Sequence, residues 1–368
     1  MQFTIQKEIF LNSFKKISNI LTKNPIFPIL ENVLLEISEK GMTLTCSNLD
    51  LELCIFIKKE KFNIQETGKI TISGKKLLNI CRNIPPKTQL NFSINNNIFQ
   101  IKIFNSHFHM ITLPSENFPK FNHTQKNIIF SLSQKKFKNI ISMTQIAIAN
   151  QDVRNYLNGM LIEVKNNILY SVATDGHRMA IYKIIFKKKI PNFSIILHKK
   201  CIIELIHLLE NTKNQIKLII SHHDIIFYIE NLKLTTKLLE GDFPNYKEIL
   251  LLPPILRISI LSQPLKEALL RASVLCNTIF KGVTLQFFKK KLIIRTNNQN
   301  DEKSKEILKI KKISENIEFS LNVFYLLDTL NIIQTQEIDF LFKKPITSIQ
   351  IQSKEKPKIC FIIMPLHL

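Results

Sequence analysis

FTIQKEIFLNSFKKISNIL (3–21), FSLSQKKFKNIISMTQIAI (130–148) and ISILSQPLKEALLRASVLC (258–276) carry one pattern, and its recurrence decides the fold. Each opens on a short apolar strand and passes into apolar residues three and four apart, the spacing of a helix with one buried face. In the first, Phe10, Phe14, Ile17 and Leu21 share that face, while Lys15, Lys16, Ser18 and Asn19 lie elsewhere. The openings stand about 125–130 residues apart, far beyond the period of a solenoid, so each copy is large enough to be a domain. Three equivalent domains are parts of a ring or an arch and point away from an enzyme with a single cleft.

The repeat continues outward from these openings. NVLLEI (32–37), NGMLIEV (158–164) and KGVTLQF (281–287) predict half-buried or buried strands. SGKKLLNICRNI (73–84), LHKKCIIELIHLL (197–209) and SLNVFYLLDTLNI (320–332) predict a second helix in each copy. Each copy closes on strands, FQIKIFN with FHMITLP, IIFYIEN with LTTKLLEG, and SIQIQS with CFIIMPL. The first two then end on a turn, ENFPKF (116–121) and GDFPNY (241–246), where the third stops. The expected architecture is α+β, with domains at 1–127, 128–255 and 256–368, which agrees with the length of 368 residues.

Composition bounds the rest. No apolar run approaches the roughly 18 residues of a membrane span. MQFTIQKEIF has no basic segment leading into an apolar core, so it does not read as a signal peptide. Cys46, Cys54, Cys81, Cys201, Cys276 and Cys360 are scattered without a CxxC pair, which argues against zinc and against a disulfide scaffold and for reduced thiols in a cytoplasmic protein. The net charge is +22, from 51 basic and 29 acidic residues. Only six of the basic residues are arginine (82, 154, 178, 257, 271 and 295), and Asn, Ile and Phe are plentiful. The charge therefore has two readings: a nucleic-acid partner, or an A+T-rich coding bias that enriches Lys, Asn, Ile and Phe together.

The helices favour the first. Lys75, Lys76 and Arg82 flank Leu77, Leu78 and Ile80, Lys135, Lys136 and Lys138 flank Phe137, Ile140 and Ile141, the fourth helix starts on Lys199 and Lys200, and the fifth carries Lys266 and Arg271. Cations recurring at matching places in a repeat suit phosphate contacts that ignore base sequence and weaken with salt. Few aromatics interleave with them, which favours duplex over single strands. No catalytic constellation emerges: GxxxxGK[ST], GxGxxG and HExxH are all absent. ATDGHRMA (173–180) is the closest to an active-site string, with Asp175 and His177 two apart on one strand face. It reads either as a metal or enzyme site or, more readily, as a strand–turn with a structural histidine.

QDVRNYLNGML (151–161), ATDGHRMA (173–180), KLLEGDFPNY (237–246), NVFYLLDTL (322–330) and the terminal IIMPLHL (362–368) closely resemble the bacterial DNA polymerase III beta subunit, the sliding clamp, and the likeness runs end to end. What it implies is a DNA clamp of three similar domains, two chains closing head to tail into a ring with helices lining the hole and sheets outside. Such a ring does no chemistry and needs no cofactor or metal. It encircles duplex DNA without sequence preference and tethers the DNA polymerase III catalytic subunit, so that release is followed by rebinding at high effective concentration.

The resemblance also implies site residues. A partner-peptide pocket, serving polymerases, the clamp loader and repair proteins, would be built from Arg154, Leu157, Thr174, Gly176, His177, Arg178, Met179, Pro244, Ile249, Phe280, Asn322, Tyr325, Ile346, Ser348, Ile362, Ile363, Met364, Pro365 and Leu366. Leu157, Pro244, Ile249, Ile363 and Met364 would take apolar anchors, and Arg154, His177 and Arg178 the polar end. Positions facing DNA would be Lys23, Asn24, Lys75, Arg82, Gln151, Tyr156, Lys199 and Lys200. Phe108 and Met110 would meet Val274 and Leu275 of a second chain. The chain departs from the family's pattern in three places. Glu248 and Asn24 stand where relatives often carry arginine, and Asn155 replaces one of two tyrosines, leaving Tyr156, so the pocket rim and the loop contacts to DNA would differ.

Overall fold

The computed structural model describes residues 1–21, 26–95, 97–121, 128–250, 256–277, 281–298, 302–313 and 315–366. Lys23, Asn24 and Phe280 lie outside the described residues. The described chain is α+β and separates into two compact units, Met1–Lys136 with His207–Leu238, and Phe137–Ile206 with Leu239–Leu368. Its helices are α1 (Lys7–Ile17), α2 (Gly74–Asn83), α3 (Gln134–Thr144), α4 (Lys199–Leu208), α5 (Tyr246–Ile249), α6 (Ser262–Ser273) and α7 (Val323–Ile333). All but the one-turn α5 are the helices expected from the repeat.

The first unit is built on a 13-stranded antiparallel sheet. Within it Leu51–Lys58 joins Leu232–Lys237, with Leu53 opposite Leu234 and Leu51 opposite Thr236. α1 lies on this sheet because Phe10, Phe14 and Ile17 recur at helical spacing and are wholly buried. Phe10 packs on Phe92 with ring centres 5.2 Å apart. α2 buries Leu77 and Cys81 and leaves Lys75, Lys76 and Arg82 in solvent. Lys7 is buried at the start of α1, and its ammonium donates to the carbonyls of Ile84 and Arg82 at the end of α2. A cation at that end answers both the unpaired carbonyls and the helix dipole.

The second unit holds an eight-stranded and a four-stranded antiparallel sheet. Its eight-stranded sheet has a matching join: Arg178–Ile185 pairs with Ile359–Ile363, placing Arg178 opposite Ile363 and Tyr182 opposite Ile359. α6 buries Leu265, Ala268, Leu269 and Ala272, and α7 buries Leu326, Leu330 and Ile333. All six cysteines are unpaired, and burial pushes the Cys81 and Cys360 thiols up to about 12, so both rest as protonated thiols, not thiolates.

Candidate peptide groove and nucleic-acid face

The string ATDGHRMA folds as a strand, a tight turn and a second strand, with Thr174 ending Ile168–Thr174 and Arg178 opening Arg178–Ile185. Asp175 makes the turn. Its Oδ1 accepts the backbone N–H groups of His177 (3.0 Å) and Arg178 (2.9 Å), and its Oδ2 accepts Arg178 Nε (3.1 Å). Thr174 Oγ1 accepts the Gly176 N–H and donates to the Arg178 carbonyl. Asp175 is therefore spent on the backbone of its own turn, as Asx turns do, and the strand–turn reading of this string holds. Gly176 is needed at the apex: φ is +89°, and an added Cβ would lie 3.2 Å from the Arg154 guanidinium.

Three further pieces meet this turn. In the loop before Gly159–Lys165, Asn158 accepts the Asp152 N–H and donates to the Asp152 carbonyl, both at 2.8 Å. That closure places Arg154 and Leu157 at the groove. Asp152 grips Arg154 through Nε and Nη2, both at 3.0 Å, and the side-chain bonds to that guanidinium bring its carboxyl down to about 2. The second piece is the GDFPNY turn and α5. Tyr246 is buried and donates its hydroxyl to Glu163 at 2.6 Å, and Lys247 bridges the same carboxylate at 3.1 Å. Burial, and next the bond to Glu163, drive the Tyr246 phenol well above its usual value. The third piece is the strand Ile359–Ile363 and the residues after it, where the Met364 N–H donates to the His177 carbonyl at 2.9 Å.

Together these pieces enclose a groove of about 460 Å³ lined by Arg154, Leu157, Thr174, Gly176, His177, Arg178, Met179, Pro244, Ile249, Ile362 and Met364. Its floor is a core of Leu161, Val172, Met179, Ile181, Ile196, Tyr246 and Ile362. All eleven lining residues are in the expected pocket set. The remaining described members are not among the lining residues. Tyr325 lies under the Arg178 guanidinium at 4.3 Å, Ile363 is buried opposite Arg178, and Asn322 caps α7 by accepting the Phe324 N–H. Leu366 bridges to Ser320, Ser348 is buried, and Ile346 and Pro365 are half-buried. Two partners escaped the reading of residues. Asp152 holds Arg154, and Asp328 on α7 holds Arg178 at 2.6 Å. The first is signalled only by its spacing of two from Arg154, and the second, 150 residues away, by nothing local.

The expected DNA-facing residues divide by exposure. Lys75, Arg82, Gln151 and Lys200 are exposed and Tyr156 is half-buried. Lys199 is half-buried and bonded to Asn150, and burial, with the nearby Arg178 charge, lowers its ammonium below the usual lysine value. Arg271 on α6 is exposed but bound by Glu306 through Nη2 at 2.7 Å, so its charge is neutralised at short range. Of the expected interface residues, Val274 is 78% exposed and Phe108 36%, whereas Met110 is already buried. Phe104 and Ile111 beside them are over 80% exposed.

Repeated strand–helix units carrying cationic helices and an apolar groove, with no metal-holding cluster among the described residues, are the architecture of a DNA clamp. Residues 1–122, 131–245 and 256–367 match, in turn, the N-terminal, central and C-terminal domains of the DNA polymerase III beta subunit. The chain is 39% identical over 367 residues to the beta sliding clamp of Buchnera aphidicola subsp. Rhopalosiphum padi, covering 99% of each, and 31% identical to that of Escherichia coli K12, covering all of both. The crystal structure of the DNA polymerase III subunit beta from Pseudomonas aeruginosa superposes with a TM-score of 0.96 at 31% identity over the full length of both chains. The chain belongs to the DNA polymerase III beta subunit family, the sliding clamps. It is a non-catalytic processivity subunit with three clamp domains, and no helix among the described residues is long and apolar enough to cross a membrane.

Proposed function

We propose that two copies of this chain close head to tail into a ring around duplex DNA in the cytoplasm. The domains are 1–127, 128–255 and 256–368, and α1–α4, α6 and α7 line the hole. The observation that carries this reading is the recurrence of exposed cations on helices whose other faces are buried: Lys15 and Lys16 on α1, Lys75, Lys76 and Arg82 on α2, Lys135 and Lys136 on α3, and Lys200 on α4. Lysine ammoniums on long stems hold phosphates loosely and read no bases, which suits a ring that slides. Phe108 and Met110, on a strand that also carries the exposed Ile111, meet Val274 and Leu275 of the second copy, and heterologous contacts of this kind close into a ring.

The groove at Arg154, His177 and Met364 receives short peptides from the DNA polymerase III catalytic subunit, the clamp loader, other polymerases and repair proteins. Apolar walls from Leu157, Pro244, Ile249 and Met364 take the anchors, and the rim of Arg154, His177 and Arg178 orients the polar end. Glu248, exposed beside Ile249 and bonded to Asn245, places a negative charge at that rim and selects for basic or neutral flanks in the peptide. Sedimentation equilibrium tests the assembly: the expected mass is twice the chain's 42.9 kDa. A monomer at micromolar concentration would overturn the ring.

A further inference from the structure

We propose that the first unit holds a second docking groove, at Leu49, Phe121 and Lys237, that takes a short acidic segment of a partner protein bearing an apolar anchor. The proposal rests on the peptide reading of the groove at Arg154 and extends it. The turn at 47–51 repeats four of the bonds of the turn at 174–178 and lacks the bond that Thr174 Oγ1 donates to the Arg178 carbonyl. Ser47 Oγ accepts the Leu49 N–H as Thr174 accepts that of Gly176. Asn48 Oδ1 accepts the N–H groups of Asp50 (3.1 Å) and Leu51 (2.8 Å) as Asp175 accepts those of His177 and Arg178. The Asn48 N–H donates to the Leu51 carbonyl at 3.0 Å, as that of Asp175 does to Arg178 at 3.3 Å.

The other walls correspond as well. Pro119 and Phe121 come from ENFPKF as Pro244 and Tyr246 come from GDFPNY. Lys237 follows Thr236, the partner of Leu51, as Met364 follows Ile363, the partner of Arg178. These pieces line an open groove, with His223 and the buried Asp224 completing the lining.

The chemistry at matching places differs, and the differences name the ligand. Leu49 stands where the other turn has glycine, at φ +72°, and its side chain is 40% exposed. A leucine in the left-handed region costs about 1–2 kcal/mol, and such strain clusters at ligand clamps and switch regions. With Pro119 and Phe121 it forms the apolar wall. Lys120 and Lys237 are exposed at the mouth. Lys69 stands against Lys120 outside the lining, and the Lys120 side chain, followed by burial, lowers its ammonium below the usual value. Four acids lie nearby: Asp224 is buried in the lining, Glu52 is buried and accepts the Phe121 N–H at 3.3 Å, Glu36 pairs with Lys69 at 3.7 Å, and Asp50 is exposed on the turn. Lysines beside an exposed apolar wall call for carboxylates flanking a leucine or aromatic side chain.

The test uses the full chain and a fluorescein-labelled pool of pentapeptides with Asp or Glu at three positions and Leu or Phe at two, against a pool with Asn or Gln in place of the acids. Fluorescence polarisation should show the acidic pool binding at least tenfold more tightly. Lys120→Glu with Lys237→Glu should abolish that preference. Leu49→Gly, which relieves the backbone and removes the wall, should weaken the acidic pool about fivefold. Saturating unlabelled polymerase C-terminal peptide should leave the pool bound. Equal affinity for both pools, binding that survives the double charge reversal, binding undiminished in Leu49→Gly, or displacement by the polymerase peptide would each overturn the second groove. Failure of the first groove shows separately, as polymerase-peptide binding indifferent to Met364→Ala.

Discussion

His177 presents its backbone to the fold and its side chain to the groove. Its carbonyl accepts the Met364 N–H, its N–H is held by Asp175, and its imidazole is exposed. His177→Ala therefore keeps every bond the turn uses. We expect its melting temperature to stay within about 2 °C of the parent, as surface changes usually do, while a polymerase C-terminal peptide binds severalfold more weakly by calorimetry. Equal affinity would remove His177 from the site. Gly176→Ala is the opposite case. A Cβ at φ +89° meets the Arg154 guanidinium, so the change should cost about 1 kcal/mol in urea unfolding and weaken the peptide through Arg154. The Arg154–Asp152 pair has a defined acid limit. The Asp152 carboxyl is depressed to about 2, so the clamp is fully present above the ordinary carboxylate range and is lost only as pH falls through that value. Carboxyl carbon shifts followed by NMR should show Asp152 titrating well below the exposed acids.

At the scale of the element, α2 separates stability from binding. Leu77 and Cys81 are wholly buried, whereas Lys75 and Arg82 touch solvent. Leu77→Ala should cost about 2–4 kcal/mol of stability. Lys75→Glu with Arg82→Glu should leave stability nearly unchanged and lower the salt slope of duplex binding by about 1.8, from roughly 0.9 per phosphate contact. An unchanged slope would assign the helix's cations to coding bias. The helices and most strands were legible because burial writes its period into the chain: Phe10, Phe14 and Ile17 three and four apart, apolar runs in Asn32–Ser38 and Gly159–Lys165. The joins between strands were not. Leu51–Lys58 meets Leu232–Lys237 across some 180 residues, and nothing in either string specifies that register. The groove was legible through motif resemblance alone, since the turn's own residues specify only an Asx turn. For the same reason the twin turn at Leu49 escaped notice, because Ser47 and Asn48 share bonding capacity, not identity, with Thr174 and Asp175.

For the whole molecule, the C-terminal segment separates docking from assembly. The Met364 and Leu366 N–H groups tie it to His177 and Ser320 by two backbone bonds. Deleting Met364–Leu368 should abolish partner-peptide binding while sedimentation still reports a dimer. Dissociation to monomers would make the tail structural. The central claim is topological and calls for a topological measurement. The protein is loaded on nicked circular DNA by purified clamp loader, passed through gel filtration in high salt, and half of the sample is then linearised. A ring stays on the circle in salt that screens lysine–phosphate contacts and slides off the cut DNA. Loss from circle and linear DNA alike in high salt would reduce the binding to electrostatics and contradict the ring.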